Sequence, residues 1–255
     1  MIGLGVGAHT ETNFHFSPPD IANLAVWYKY DTGITESSSK CSQWDDQSGN
    51  GNNATQGTGS KQPEVTGVGD RTTGGALEFD GTDDLMNFTK ATMSANHNTL
   101  IGVVIHAKAS SSEVILADTN SEFFRIDTSK KLAVKSAGVK PLMINTGATN
   151  LFDDAAGVQS LVISRNDGST GTWKFYRNGI DTEDLSGFDS FSNQTNAAQI
   201  DFDILGGGAT NGFFTGPIYE IIVYDLGTGT ATAQEIRDLN DYLTGKFGIG
   251  DQHAR

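Results

Sequence analysis

The sequence predicts an all-β fold, a two-sheet antiparallel sandwich or jelly roll with one C-terminal helix. Three observations carry that prediction. Short apolar runs with period-2 alternation recur through the interior. Gly, Asn, Asp and Ser turns punctuate them, with 31 Gly against 5 Pro in 255 residues. No helical periodicity intervenes until the C-terminal stretch. About a dozen short strands without helices between them must bury their apolar faces against one another, which is the two-sheet solution.

The elements follow in order. Residues 1–20 read as an N-terminal arm: they lack alternation, carry Gly early, and end in "SPPD", which favours extended backbone before Asp20 turns or caps the chain. An arm that buries nothing of its own either stays loose or docks on a partner. The domain is expected over residues 21–249. Its first strand, "LAVWYKY" (24–30), alternates Leu24, Val26, Tyr28 and Tyr30 on one face with Ala25, Trp27 and Lys29 on the other. Strands are then expected at "ALEF" (76–79), "LMNF" (85–88), "LIGVVIHAK" (100–108), "EVILAD" (113–118) and "FFRID" (123–127). After them come "KLAVKS" (131–136), "QSLVISRN" (159–166), "GTWKFYRNG" (171–179), "IDFDILG" (200–206) and "PIYEIIVYD" (217–225). Thr232 and Glu235 stand in capping-box relation ahead of the stripe Ile236, Leu239, Leu243 and Phe247, and Gly248 supplies a stop. A helix is therefore expected near 232–247, lying on the sandwich as a lid, with 250–255 as a tail.

Charge narrows the partners. Against 17 basic residues stand 31 acidic ones, a formal charge of −14, and no Lys/Arg run offsets it. Such a surface repels phosphate backbones and anionic membranes, so no nucleic acid is expected, while divalent cations, neutral glycans and proteins remain. The single Cys41 forms no intramolecular disulfide and is expected as a buried free thiol. "MIGLGVGAHTETNF" has no positively charged n-region and does not read as a signal peptide, and no stretch approaches the roughly 20 apolar residues a membrane span needs, so no membrane insertion is expected.

Several motifs in one order carry a resemblance. "VWYKYDTGI", "WDDQSGNGNNATQ", "QPEV" and "GGALEFDGTDDLMNF" supply Trp44, Asp46, Ser48, Gly49, Asn50, Gly51 and Asn52, then Phe79, Asp80, Gly81 and Asp84. "WKFYRNG", "ILGGGATNGFFTGPIYEIIVYD" and "TAQEIRDLNDYLTGKFG" follow. This order is similar to laminin-G-like, concanavalin A-like lectin and glucanase domains, over roughly residues 21 to 249. The resemblance implies a concanavalin A-like jelly roll. A stand-alone domain with a short arm and no secretion signal also resembles structural proteins of tailed phages, particularly those of aquatic bacteria. That implies a non-enzymatic virion protein, a capsid decoration or tail-fibre adhesion component made in the host cytoplasm. Its partners would be other virion proteins through the arm, and host surface glycan, in a homo-oligomer or multi-copy assembly. The alternative is a free lectin-like carbohydrate-binding module, with or without Ca²⁺. A glucanase-type hydrolase is the third reading.

Candidate sites follow from residue chemistry. In "WDDQSGNGNNATQ" (44–56), Asp45 and Asp46 with amide oxygens offer hard donors for Ca²⁺, yet Gly49, Asn50, Gly51 and Asn52 equally make a structural turn. "DGTDD" offers Asp80, Asp83 and Asp84 as a rival or complementary cluster. Neither has EF-hand spacing. "QIDFDILGG" places Asp201 and Asp203 on one strand face, but Gln199 stands where the glucanase pattern has an acid, so no catalytic residue is assigned. The five histidines show no metal-ligand spacing. "SGFDSFSNQTN" (186–196) and "TNGFF" (210–214) set aromatics among polar residues, as sugar platforms, interface plugs or core do.

Overall fold

A computed structural model describes residues 16–67, 75–108, 113–118, 122–126, 132–135, 142–144, 157–167, 172–181, 199–208 and 212–249. The first strands are β1 (Leu24–Tyr28), β2 (Ile34–Ser37), β3 (Lys40–Trp44), β4 (Ala54–Thr55), β5 (Glu64–Gly67), β6 (Gly75–Asp80), β7 (Met86–Met93) and β8 (Asn98–Ile105). Next come β9 (Glu113–Ala117), β10 (Phe123–Ile126), β11 (Leu132–Lys135), β12 (Leu142–Ile144), β13 (Gln159–Asp167), β14 (Thr172–Arg177) and β15 (Ile180–Asp181). The last are β16 (Ile200–Leu205), β17 (Gly207–Gly208), β18 (Gly212–Phe213) and β19 (Thr215–Gly227), followed by helix α1 (Ala233–Phe247).

One layer runs β15–β14–β13–β8–β19, with β1 and β6 sharing the far edge of β19. The other runs β4–β7–β16–β9–β10–β11–β12. β5 and β3 join the two, so the antiparallel ladder is continuous around one end. Between the layers, Val103, Ile105, Leu161, Ile163, Phe175 and Val223 pack with Phe88, Phe124, Ile126 and Phe202 in one buried cluster. This is the sandwich that the alternation predicts.

The outer face of the first layer is covered as well. Leu100, Val104, Val162 and Ile222 pack under Ile236, Leu239 and Leu243 of α1. All eight residues of β8 are therefore buried, which is why "NTLIGVVI" reads as a nearly continuous apolar run. The helix has the predicted ends: the Thr232 hydroxyl accepts from the Glu235 N–H at 3.1 Å, and the Glu235 carboxylate accepts from the Thr232 N–H at 2.7 Å. Gly248 stops it at φ 63°. Among the described residues no helix is long and apolar enough to cross a membrane.

Two sequence expectations are corrected. β1 stops at Tyr28, and its pairing with β19 shifts register between Leu24 and Val26. Val26 and Tyr28 enter the inter-sheet core, whereas Leu24 and Tyr30 join Trp27 on the helix side. The bulge reverses the phase at Leu24, and Tyr30 lies beyond the end of the strand; strict period-2 counting anticipates neither. At the chain start, residues 16–20 lie on the domain rather than apart from it. Phe16 meets Tyr242 edge-on at 5.9 Å, the Tyr224 hydroxyl donates to the Pro18 carbonyl at 2.9 Å, and Ile21 is buried. The rest of the arm, residues 1–15, and the tail 250–255 lie outside the described residues.

Candidate functional site

The loop after β3 is a staple across the bulged edge of β1. Asp46 Oδ1 accepts from the Trp27 and Ser48 N–H groups, both at 2.9 Å. Its Oδ2 accepts from the Ser48 hydroxyl at 2.7 Å and the Asn52 N–H at 3.0 Å. Both carboxylate oxygens are thus saturated by the protein itself. Asn50 Nδ2 donates to the Leu24 carbonyl at 2.7 Å and Asn52 Nδ2 to the Ala25 carbonyl at 3.0 Å, satisfying β1 where the bulge breaks its ladder. Trp44 is fully buried and its indole N–H donates to the Thr32 carbonyl at 3.1 Å. Asp45 Oδ1 accepts from Gln43 Nε2 at 2.6 Å. These contacts are those of a structural turn.

The turn from β6 to β7 differs. Asp80 Oδ1 accepts from the N–H groups of Thr82, Asp83 and Asp84 at 2.8, 3.2 and 3.4 Å. The chain curls around this oxygen, and the carboxylate oxygens of Asp80, Asp83 and Asp84 come within 4.8 Å of one another. Among the described residues this is the only trio of His, Cys, Asp or Glu so arranged, and neither Asp45 nor Asp46 belongs to it. Gly81 turns at φ +74°, and a Cβ there would meet the Thr215 hydroxyl at 2.1 Å, so only glycine fits this corner.

The two ends of the turn carry opposite electrostatics. Burial would raise the Asp80 carboxyl, but its three backbone donors and the Lys40 charge hold it below its usual value. Asp84 is pushed up to about 6, by burial first and then by the Asp80 charge. Its Oδ2 accepts from the Asp80 N–H at 3.1 Å, while Oδ1 is buried with no hydrogen-bond partner among the described residues. A cleft of about 420 Å³ opens here, lined by Lys40, Glu64, Glu78, Phe79, Asp80, Asp84 and Thr215. Lys40 pairs with Glu64 at 3.4 Å and Lys108 with Glu78 at 2.6 Å. Behind Thr215 lies Glu113, fully buried, accepting the Thr215 N–H at 2.5 Å and pushed up to about 7 by that burial.

The remaining candidates are placed as follows. Asp201 and Asp203 are half-buried on β16, whose pairing with β7 shifts between Phe202 and Ile204. The Asp201 N–H donates to the buried Glu122 at 2.5 Å, an acid that sequence reading did not single out. Cys41 is a buried free thiol, raised to about 12 by burial. His97 Nδ1 lies 2.8 Å from Asp225. The aromatic–polar stretch 186–196 and residues 210 and 211 lie outside the described residues.

No family model matches the chain, and no curated protein matches it. Solved structures do. The binding domain of Paraclostridial Mosquitocidal Protein 1 aligns at TM-score 0.55 and 16% identity, over 89% of this chain and 53% of that one. Domain 4 of AbnA, a GH43 extracellular arabinanase from Geobacillus stearothermophilus in complex with arabinotriose, aligns at TM-score 0.52 and 16% identity, over 86% and 98%. Trypanosoma rangeli sialidase aligns at 0.51 and 13%, over 91% of this chain and 34% of the enzyme. The chain thus spans about half the length of the first of these and a third of the sialidase. At such identities the likeness speaks for the fold alone: an antiparallel jelly-roll β-sandwich closed by one helix.

Proposed function

We propose that the chain is a non-catalytic, lectin-like binding module whose ligand is a neutral glycan. The observation that carries the reading is the alignment with the arabinanase domain solved with arabinotriose, which covers 98% of that domain and so concerns a complete module. A second neighbour is itself a binding domain of a toxin. The chemistry of the β6–β7 cleft agrees: Glu64, Glu78, Asp80 and Asp84 are acceptors for sugar hydroxyls, with Lys40 as a donor. Its volume of about 420 Å³ falls within the ~300–1,000 Å³ of small-molecule sites. A formal charge of −14 favours neutral over anionic sugars.

The virion component expected from the sequence has no counterpart among these neighbours, and residues 1–15 of the arm meant to dock it lie outside the described residues. The binding module therefore takes first place. An array of neutral oligosaccharides, arabinan fragments included, is the test, followed by titration of each hit. At least one hit is expected to bind and to survive uncleaved, with affinity lost in Glu78→Ala. An array without hits, together with co-sedimentation of the chain with phage particles, would return the virion reading to the lead.

A further inference from the structure

We infer that the β6–β7 turn is a binding site for a hard divalent cation of the Ca²⁺ class, held by the carboxylates of Asp80, Asp83 and Asp84. Two observations meet here. The first is the convergence of three carboxylate oxygens within 4.8 Å of one another. The second is the state of Asp84, which is 1% exposed, lines the cleft, and leaves Oδ1 without a hydrogen-bond partner among the described residues. A buried carboxylate oxygen without a donor is unusual in a folded protein and calls for a proton, a water or an ion. With two further carboxylates beside it, a cation satisfies all three at once.

The dimensions choose the ion. Two ligand oxygens on one Ca²⁺, each about 2.3–2.6 Å from it, stand at most ~5 Å apart, so separations up to 4.8 Å are bridged without moving the turn. Mg²⁺, at about 2.0–2.1 Å, spans only ~4.2 Å and demands stricter geometry. The trio holds no imidazole or thiolate, which turns it away from zinc and copper. The turn is held ready for the ion by the three backbone N–H groups on Asp80 Oδ1 and by the glycine-only corner at Gly81. Asp80 is exposed and Asp83 half-buried, so the outer side of the ion faces the cleft, where water or a ligand hydroxyl completes the sphere. With three protein carboxylates, affinity belongs to the weak range, Kd on the order of 10⁻⁴–10⁻³ M.

The inference does not depend on the glycan reading, because the metal alone is the probe. The full chain, stripped with chelator, is titrated calorimetrically with CaCl₂ and MgCl₂ and melted with and without each. One Ca²⁺ site is expected, with a rise in Tm and weaker binding of Mg²⁺. Asp84→Asn preserves shape while removing the charge, and is expected to weaken Ca²⁺ at least ~10-fold with an unchanged fold in chelator. Should that variant fail to fold, Asp83→Asn, at a half-buried position, must show the same loss. Absence of heat and of any Tm shift at about 10 mM CaCl₂ overturns the site, as does undiminished binding in both variants. The glycan array run on the parent chain in chelator is a separate readout, so failure of the metal site and failure of the glycan reading are told apart.

Discussion

Removing the Glu220 carboxylate should loosen the helix from the sandwich. Glu220 is 0% exposed, on the outer face of β19 beneath α1. One oxygen accepts from the Trp27 indole at 2.9 Å and the Tyr242 hydroxyl at 2.8 Å. The other accepts from the Lys246 ammonium and, at 3.4 Å, from the Tyr30 N–H. One buried acid therefore ties β1, the segment after it and the last turns of the helix together. Glu220→Ala leaves the indole N–H and the tyrosine O–H without an acceptor, at about 1–3 kcal/mol each. Lys246 keeps 22% of its side chain exposed and can turn to water, so it adds less. The total, roughly 3–5 kcal/mol, matches the usual cost of breaking a buried pair from one side.

That is a large part of a typical stability of about 5–15 kcal/mol. For a chain of this size it lowers Tm by roughly 10 °C. Glu220→Gln keeps one oxygen for the indole and the tyrosine but sets an amide against Lys246, and should cost about half as much. Thermal and urea denaturation, followed by Trp fluorescence and by helix circular dichroism, measure both variants. If Glu220→Ala melts within about 1 °C of the parent, the carboxylate does not tie the helix to the sandwich.

Two further outcomes are expected. Glu113, raised from 4.5 to about 7, keeps in the folded state a proton that the unfolded chain releases, so it is neutral for stability below about pH 4.5 and increasingly costly as pH rises to about 7. The full cost above that range is roughly 3 kcal/mol, and Glu113→Gln, which retains an acceptor for the Thr215 N–H, should be more stable than the parent at about pH 8 and equal to it at about pH 4. Denaturant melts at both pH values decide it, and an unchanged pH slope in the variant refutes it. Gly206→Ala would place a Cβ 2.0 Å from the Phe79 ring at φ +77°, so overpacking and backbone strain should together remove about 2–4 kcal/mol, read as a lower urea midpoint.

The residues differ in how far sequence alone reveals them. Helix α1 was legible to its ends because the capping pair, the apolar stripe and the glycine stop are all local, within the turn or two they govern. β8 and β19 were legible because burial on both faces writes itself as a long apolar run. β2 and β3 were not, since "ITES" and "KCSQW" are largely polar and become strands only by pairing, β2 with β3 and β3 also with β4 and β5. The β1 bulge was equally hidden, being a property of two strands and not of one.

The acids make the contrast sharpest. Asp46 and Asp84 look alike in sequence, each in a short Gly-rich acidic turn. Tertiary structure lays the backbone of β1 against Asp46 and fills its oxygens, while Asp84 is carried under the surface with one oxygen left over. Glu220 reads as one more polar residue in an alternating strand until the helix folds over it and supplies Tyr242 and Lys246. The sequence by itself determined the class of fold, the helix and the sign of the surface, because periodicity, capping and charge are local or additive. Which acids have both oxygens filled by the protein and which keep one unbonded was decided only by tertiary structure, because a carboxylate's state depends on donors from strands far away in the chain.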